Sequence, residues 1–212
     1  MHSLNSNILA NDVPSPIDLR LADDARDWEQ SAMSKRPWRV DFFAQFASEI
    51  SASPSKAQRI LELGSGPGFL AEHLLNSLGR VEYVLLDFSA AMHDLAKARL
   101  GELGTCATFI ERSFKEDNWT ADLGLFDCVV THQAVHELRH KRYAVELHKQ
   151  VRKVLAPGGT YLVCDHFAGE GGMKNEALYM TIAEQRQALL DAGFETVRQV
   201  MAKGGLVLYH AE

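Results

Sequence analysis

From residue 59 onward the apolar positions of this 212-residue chain alternate between two periods. Short apolar runs at 59–63, 81–87, 107–112, 126–132 and 160–166 read as strands. The stretches 68–78, 89–101 and 141–155 carry apolar residues three and four apart and read as amphipathic helices. Alternation of this kind predicts a mostly parallel, doubly wound sheet covered by helices on both faces, an α/β fold. A further helix over 175–192, ended by Gly193, precedes strands near 195–202 and 205–211, which brings the sheet to seven strands. The link Lys203-Gly204-Gly205 is too short for a crossover helix, so the last two strands form an antiparallel hairpin. Upstream, residues 17–50 follow a helical period interrupted at Lys35-Arg36-Pro37, because Pro37 suits a first helical turn and pushes Arg36 out of helix geometry. Residues 1–16, rich in Ser, Asn, Asp and Pro, read as a flexible arm, 17–56 as an N-terminal helical cap or lid, and 57–212 as the core.

The junction of the first strand and helix carries the first chemical signal, Ile60-Leu-Glu-Leu-Gly-Ser-Gly-Pro-Gly-Phe-Leu70. Gly64, Gly66 and Gly68 let the backbone take left-handed angles and approach a ligand closely, and the helix that follows points unpaired N–H groups at the turn. A dinucleotide fingerprint needs its third glycine where this chain has Phe69, which argues against a nicotinamide or flavin cofactor. Glu62 argues the same way: an anionic side chain repels a pyrophosphate and suits a cationic amino group. Asp87 ends the second strand, 23 positions after Gly64, where a carboxylate can accept from both hydroxyls of a ribose.

With these residues, Asp87-Phe-Ser-Ala-Ala-Met92 followed by Ala96, Phe126-Asp-Cys-Val-Val-Thr-His132 and Leu155-Ala-Pro-Gly-Gly-Thr160 resemble four motifs of the class I methyltransferases, in the same order, over roughly residues 57–212. The resemblance implies S-adenosylmethionine as cofactor and a seven-stranded sheet whose last strand is inserted antiparallel. It implies a cofactor site formed by Glu62, Gly64, Ser65, Gly66, Asp87, Phe88, Met92, Ser113, Phe114 and His132. Ser113 stands where the family commonly places an acidic or amide residue against the adenine amino group, and Phe88 and Phe114 would wall the adenine slot.

His132, His136 and His140 stand four apart, as metal ligands on one helical face could. The alternative has His132 and Gln133 end the fourth strand beside the methionine moiety and His136 face the acceptor; no metal is expected. His136 and His166 are the candidate bases, needed only if the acceptor arrives as an un-ionised hydroxyl or a protonated amine. Trp28, Met33 and Trp38 either fill the cap or roof a cationic sulfonium.

A net charge of −6 gives no reason to expect nucleic acid, and His140-Lys141-Arg142 reads as a solvated face. No apolar run approaches a membrane span and residues 1–16 lack the marks of a signal peptide, so a cytoplasmic protein is expected. Cys106, Cys128 and Cys164 sit in strand-like apolar surroundings and read as buried, inert thiols. The expectation is methyl transfer to a small-molecule acceptor, with the oligomeric state left open. A non-catalytic cofactor-binding module is the alternative.

Overall fold

The structure, a computed structural model, describes residues 12–53 and 58–212. Two helices, α1 (Ala22–Lys35) and α2 (Arg39–Ala52), precede the sheet. Then follow β1 (Arg59–Leu63), α3 (Phe69–Leu78), β2 (Glu82–Asp87), α4 (Ala90–Leu100), β3 (Ala107–Glu111) and β4 (Phe126–His132). The chain continues through α5 (Ala144–Val154), β5 (Leu155–His166), α6 (Ile182–Asp191), β6 (Val197–Lys203) and β7 (Leu206–Ala211). The strands form one sheet in the order β3-β2-β1-β4-β5-β7-β6, with β7 antiparallel to both of its neighbours.

Chain order reverses between β1 and β4, and the crevice beyond the carboxyl ends of such strands is where ligands sit in this architecture. Register aligns those ends: Leu63 lies beside Leu86 and Thr131, and His132 beside Cys164. Thr131 reinforces the junction by donating its hydroxyl to the Leu63 carbonyl at 3.0 Å. Two apolar layers bury the faces of the sheet. One gathers Leu61, Leu63, Val129 and Tyr161 under α5 and α6, the other Ile60, Leu85, Val130 and Leu162 under α2, α3 and α4. On α2 the buried Phe42, Phe43, Phe46 and Ile50 recur at helical spacing, which ties the cap to the core through one face.

Several expectations shift. The last helix begins at Ile182, not 175: Asn175 accepts from the N–H groups of Ala177 and Leu178 in place of a helical partner, and Thr181 with Glu184 forms a capping box that sets the true start. The expected strand 160–166 extends back to Leu155. Cys128 and Cys164 are buried, but Cys106 is exposed, because it closes a 3₁₀ turn ahead of the edge strand β3. Of the expected arm, residues 12–16 are described and anchored as set out below, while 1–11 lie outside the described residues. Among the described residues no helix is long and apolar enough to cross a membrane.

Candidate active site

The loop from Gly64 to Gly68 opens a cleft of about 590 Å³ at the carboxyl ends of β1, β2, β4 and β5. Two of its glycines are required for different reasons. Gly64 has φ of 64°, and a Cβ there would collide with the Ala134 side chain. Gly66 has φ of 53° and nothing within 4 Å of the Cβ position, so that side of the loop is open to a ligand. Of the residues expected to hold the cofactor or to act as base, all line this cleft except Ser113. Ser113 lines an adjoining cavity of about 110 Å³ with Arg20, Phe88 and Phe114, and its hydroxyl accepts from the Lys115 N–H at 3.2 Å. Of the cap residues, Trp28 reaches the cleft, whereas Met33 and Trp38 pack against the second apolar layer.

At the loop end, Asp87 accepts from the Gly66 N–H at 2.8 Å and from the Ser89 N–H at 3.0 Å, each carboxylate oxygen keeping a lone pair for a further donor. Burial pushes its pKa up to about 6 in spite of those hydrogen bonds. Glu62 is fully enclosed, accepts from the Tyr83 hydroxyl at 2.8 Å, and is pushed by burial up to about 8. A cationic amino group brought beside it would return it to the ionised form.

At the other end a second cluster forms around His136. Its backbone N–H donates to Asp165 Oδ2 at 2.7 Å and its Nδ1 meets Asp165 Oδ1 at 2.7 Å, while Nε2 lies 3.4 Å from Glu137. Burial alone would lower the His136 pKa, but the Asp165 and Glu137 carboxylates outweigh it and hold it up at about 10. His166 is set differently. Arg39 Nε can only donate, and it donates to Gln133 Oε1 at 2.5 Å; the Gln133 amide N–H therefore faces His166 Nε2 at 2.8 Å. This network makes Nε2 an acceptor and leaves the proton on Nδ1, which is buried without a partner. Burial pushes His166 down to about 3, so the ring is neutral. The His136, His166 and Tyr179 rings lie 5.3–5.7 Å apart, centroid to centroid.

His132 ends β4 against the rings of Phe42, Phe43 and Phe46, with centroids 5.1–6.3 Å away. Burial drives its pKa down to about 3. The one-face helical arrangement of His132, His136 and His140 does not form: His132 is in the strand, His136 in a 3₁₀ turn, and His140 caps the next turn by accepting from the Arg142 N–H. Among the described residues no cluster of three or more His, Cys, Asp or Glu side chains could hold a metal ion.

The sequence analysis places Gln133 at the end of the fourth strand without its partners, and it misses the pairing of Asp165 with His136 and the strap that crosses the mouth. Val13, Pro14, Ser15, Pro16, Ile17 and Leu19 all line the cleft. Arg139 donates to the Val13 carbonyl at 2.8 Å and to the Pro14 carbonyl at 2.7 Å, and Val13 N–H donates back to the Arg139 carbonyl at 2.8 Å. Ser89 holds the far end by donating to the Leu19 carbonyl at 2.5 Å.

Residues 60–159 match a family model described as a methyltransferase domain. Over 122 residues, 55% of this chain, the sequence is 26% identical to the compactin diketide synthase mlcB of Penicillium citrinum, covering 5% of that protein. Among solved structures, an O-methyltransferase family protein from Burkholderia thailandensis superposes with a TM-score of 0.70 at 18% identity, over 90% of this chain and 60% of that one. Human N-acetylserotonin methyltransferase in complex with S-adenosylmethionine gives 0.70 at 18%, over 92% and 57%. The DhpI complex with S-adenosylhomocysteine gives 0.66 at 21%, over 90% and 94%. The chain thus spans less than two thirds of the length of several proteins it resembles. The family match runs from β1 to the turn inside β5, on a seven-stranded sheet with β7 inserted antiparallel: over this segment the chain resembles a methyltransferase domain, and its fold is that of the solved methyltransferases above.

Proposed function

We infer that this chain transfers the methyl group of S-adenosylmethionine to a small-molecule acceptor, with His136 as the general base. The observation that carries the reading is one continuous cleft that joins the Gly66 and Asp87 loop to the His136 and Asp165 pair. Its residues fit the cofactor. Gly66 leaves open space, Asp87 keeps an acceptor lone pair on each oxygen for the ribose, and Glu62 suits the amino group. Phe88 and Phe114 give apolar walls for the adenine, with Ser113 in the adjoining cavity. When bound, S-adenosylmethionine supplies an electrophilic methyl carbon on a sulfonium, whose departure as a neutral thioether needs no acid.

The protein's part is alignment, exclusion of water and removal of a proton. Asp165 occupies His136 Nδ1 and fixes the ring, and Nε2, held only by the longer 3.4 Å approach of Glu137, is the nitrogen that takes the acceptor's proton. The raised pKa makes that nitrogen a strong base once it is neutral. His166 does not share the role, because its Nε2 lone pair is occupied by Gln133; it positions the acceptor end of the cleft. The size of the cleft and the strap over its mouth favour a small acceptor.

The test is turnover. The protein is incubated with S-adenosylmethionine and a panel of phenols, amines and carboxylic acids, and S-adenosylhomocysteine is followed by mass spectrometry. Acceptor-dependent release supports the reading. Tight cofactor binding with no release across the panel would make the chain a binding module.

A further inference from the structure

Two guanidinium groups enter the cleft without a counter-charge. Arg36 caps the end of α1 and is half-buried, and Arg39 opens α2, is 3% exposed and stacks over Trp28 at 5.2 Å. Both line the cleft. Arg39 spends Nε on Gln133, and its Nη1 is buried with no hydrogen-bond partner. The carboxylates at hand are engaged elsewhere: Glu62 by Tyr83, Asp87 by two backbone N–H groups, Asp165 by His136, and Glu137 by His136 and Arg139. Among the described residues neither Arg36 nor Arg39 has a carboxylate within ion-pair distance.

A buried cation without a partner is costly, and a protein of net charge −6 has acidic side chains to spare for one. Burial and the neighbouring Arg36 charge already depress Arg39 to about 10, so the pair strains for an anion. The fork of donors on a guanidinium matches the two oxygens of a carboxylate. The position is on the acceptor side. Arg39 is wired through Gln133 to His166, and the charge of Arg36 is felt at His166 and Tyr179, the rings packed on His136.

We propose that Arg36 and Arg39 form a carboxylate-binding site at the acceptor end of the cleft, so that the acceptor is a small organic acid held by its carboxylate while another of its atoms faces His136. The proposal rests on the methyltransferase reading for the identity of the ligand, and not for the existence of the anion site. The cofactor's own methionine carboxylate is the other source of the same chemistry, and the test separates the two.

Binding of benzoate, phenylacetate and 4-hydroxyphenylacetate is compared with binding of their primary amides by calorimetry, with and without saturating S-adenosylhomocysteine. At least one acid should bind the wild type about tenfold or more tightly than its amide, and the preference should fall to about twofold or less in Arg39→Gln and in Arg36→Gln. The half-buried Arg36 keeps the test valid if Arg39→Gln fails to fold. The same variants are titrated with S-adenosylhomocysteine and with methylthioadenosine, which lacks the amino-acid tail. Weakened S-adenosylhomocysteine binding with unchanged methylthioadenosine binding would assign the pair to the cofactor and overturn the organic-acid acceptor. Equal binding of acids and amides to the wild type also overturns it. If S-adenosylhomocysteine does not bind the wild type, the methyltransferase reading fails, and the acid and amide comparison without it still decides this one.

Discussion

Asp87 uses the same two oxygens to shape the glycine loop and to face the cleft, so a change there is read twice. In Asp87→Asn one oxygen becomes a donor, which sets an amide N–H against the N–H of Gly66 or Ser89. S-adenosylmethionine affinity should fall by about 1.5–3 kcal/mol by calorimetry, and unchanged affinity would remove Asp87 from the ribose site. His136→Ala should slow methyl transfer about 10²–10⁴-fold with little effect on cofactor affinity. Because the folded protein holds His136 charged up to about pH 10, the neutral base is scarce at pH 7, and the rate should climb with pH between 7 and 9. A flat profile over that range would remove proton transfer to His136 from the slow step. The residue types at these places were legible in the sequence, since Glu62, Asp87 and His136 stand beside local patterns. Their partnerships were not. Asp165 is 29 positions from His136 and Gln133 is 94 from Arg39, distances that only the β4 and β5 register and the docking of α2 bring to contact.

The elements themselves were read well wherever a local signal is decisive: strands β1 to β4, the break at Arg36-Pro37, and the Lys203 to Gly205 turn. The late start of α6 was readable too, for Thr181-Ile-Ala-Glu184 is a capping-box pattern, but the apolar periodicity upstream masked it. The strap was not readable, because its residues carry no periodicity and are held through main-chain carbonyls by Arg139, more than 120 positions away. Hydrogen exchange over 12–21 and α1 should slow when S-adenosylhomocysteine binds. Arg139→Ala should raise exchange at residues 13–19 in the ligand-free protein, and equal protection with and without ligand would make the strap and cap a fixed layer. Gly64→Ala and Gly66→Ala should differ: both strain a left-handed backbone, but the first also clashes with Ala134 and should lose more thermal stability, while the second should add a loss of cofactor affinity to a smaller loss of stability.

The molecule as a whole carries an unusual load of buried neutral imidazole. Burial pushes His132 and His166 down to about 3 and His93 and His148 to about 4. Below their ordinary value of 6.5 the unfolded chain binds protons the folded one refuses, so each of the four lowers stability as the pH falls. Glu62 and Asp87, raised to about 8 and about 6, act in the opposite sense: they favour the folded form as the pH drops through that window. The contribution of His136 is complete below 6.5 and fades as the pH climbs through about 10. Four groups outweigh two on the acid side, and Glu62 and His136 pull together on the alkaline side. The unfolding temperature should therefore peak between about pH 6 and 7 and decline toward both 5 and 9 by calorimetry; a steady rise from 5 to 9 contradicts this balance. The strap has a consequence for timing. On the methyl-transfer reading proposed above, spent cofactor leaves past Val13 to Leu19, which line the cleft, and demethylation does nothing to loosen the grip of Arg139 on two carbonyls or of Ser89 on a third. Each molecule should thus complete its first cycle quickly and then idle until the strap lifts, a stoichiometric burst followed by a slower steady rate whose clock is set by the hydrogen bonds that hold the strap and not by the methyl transfer.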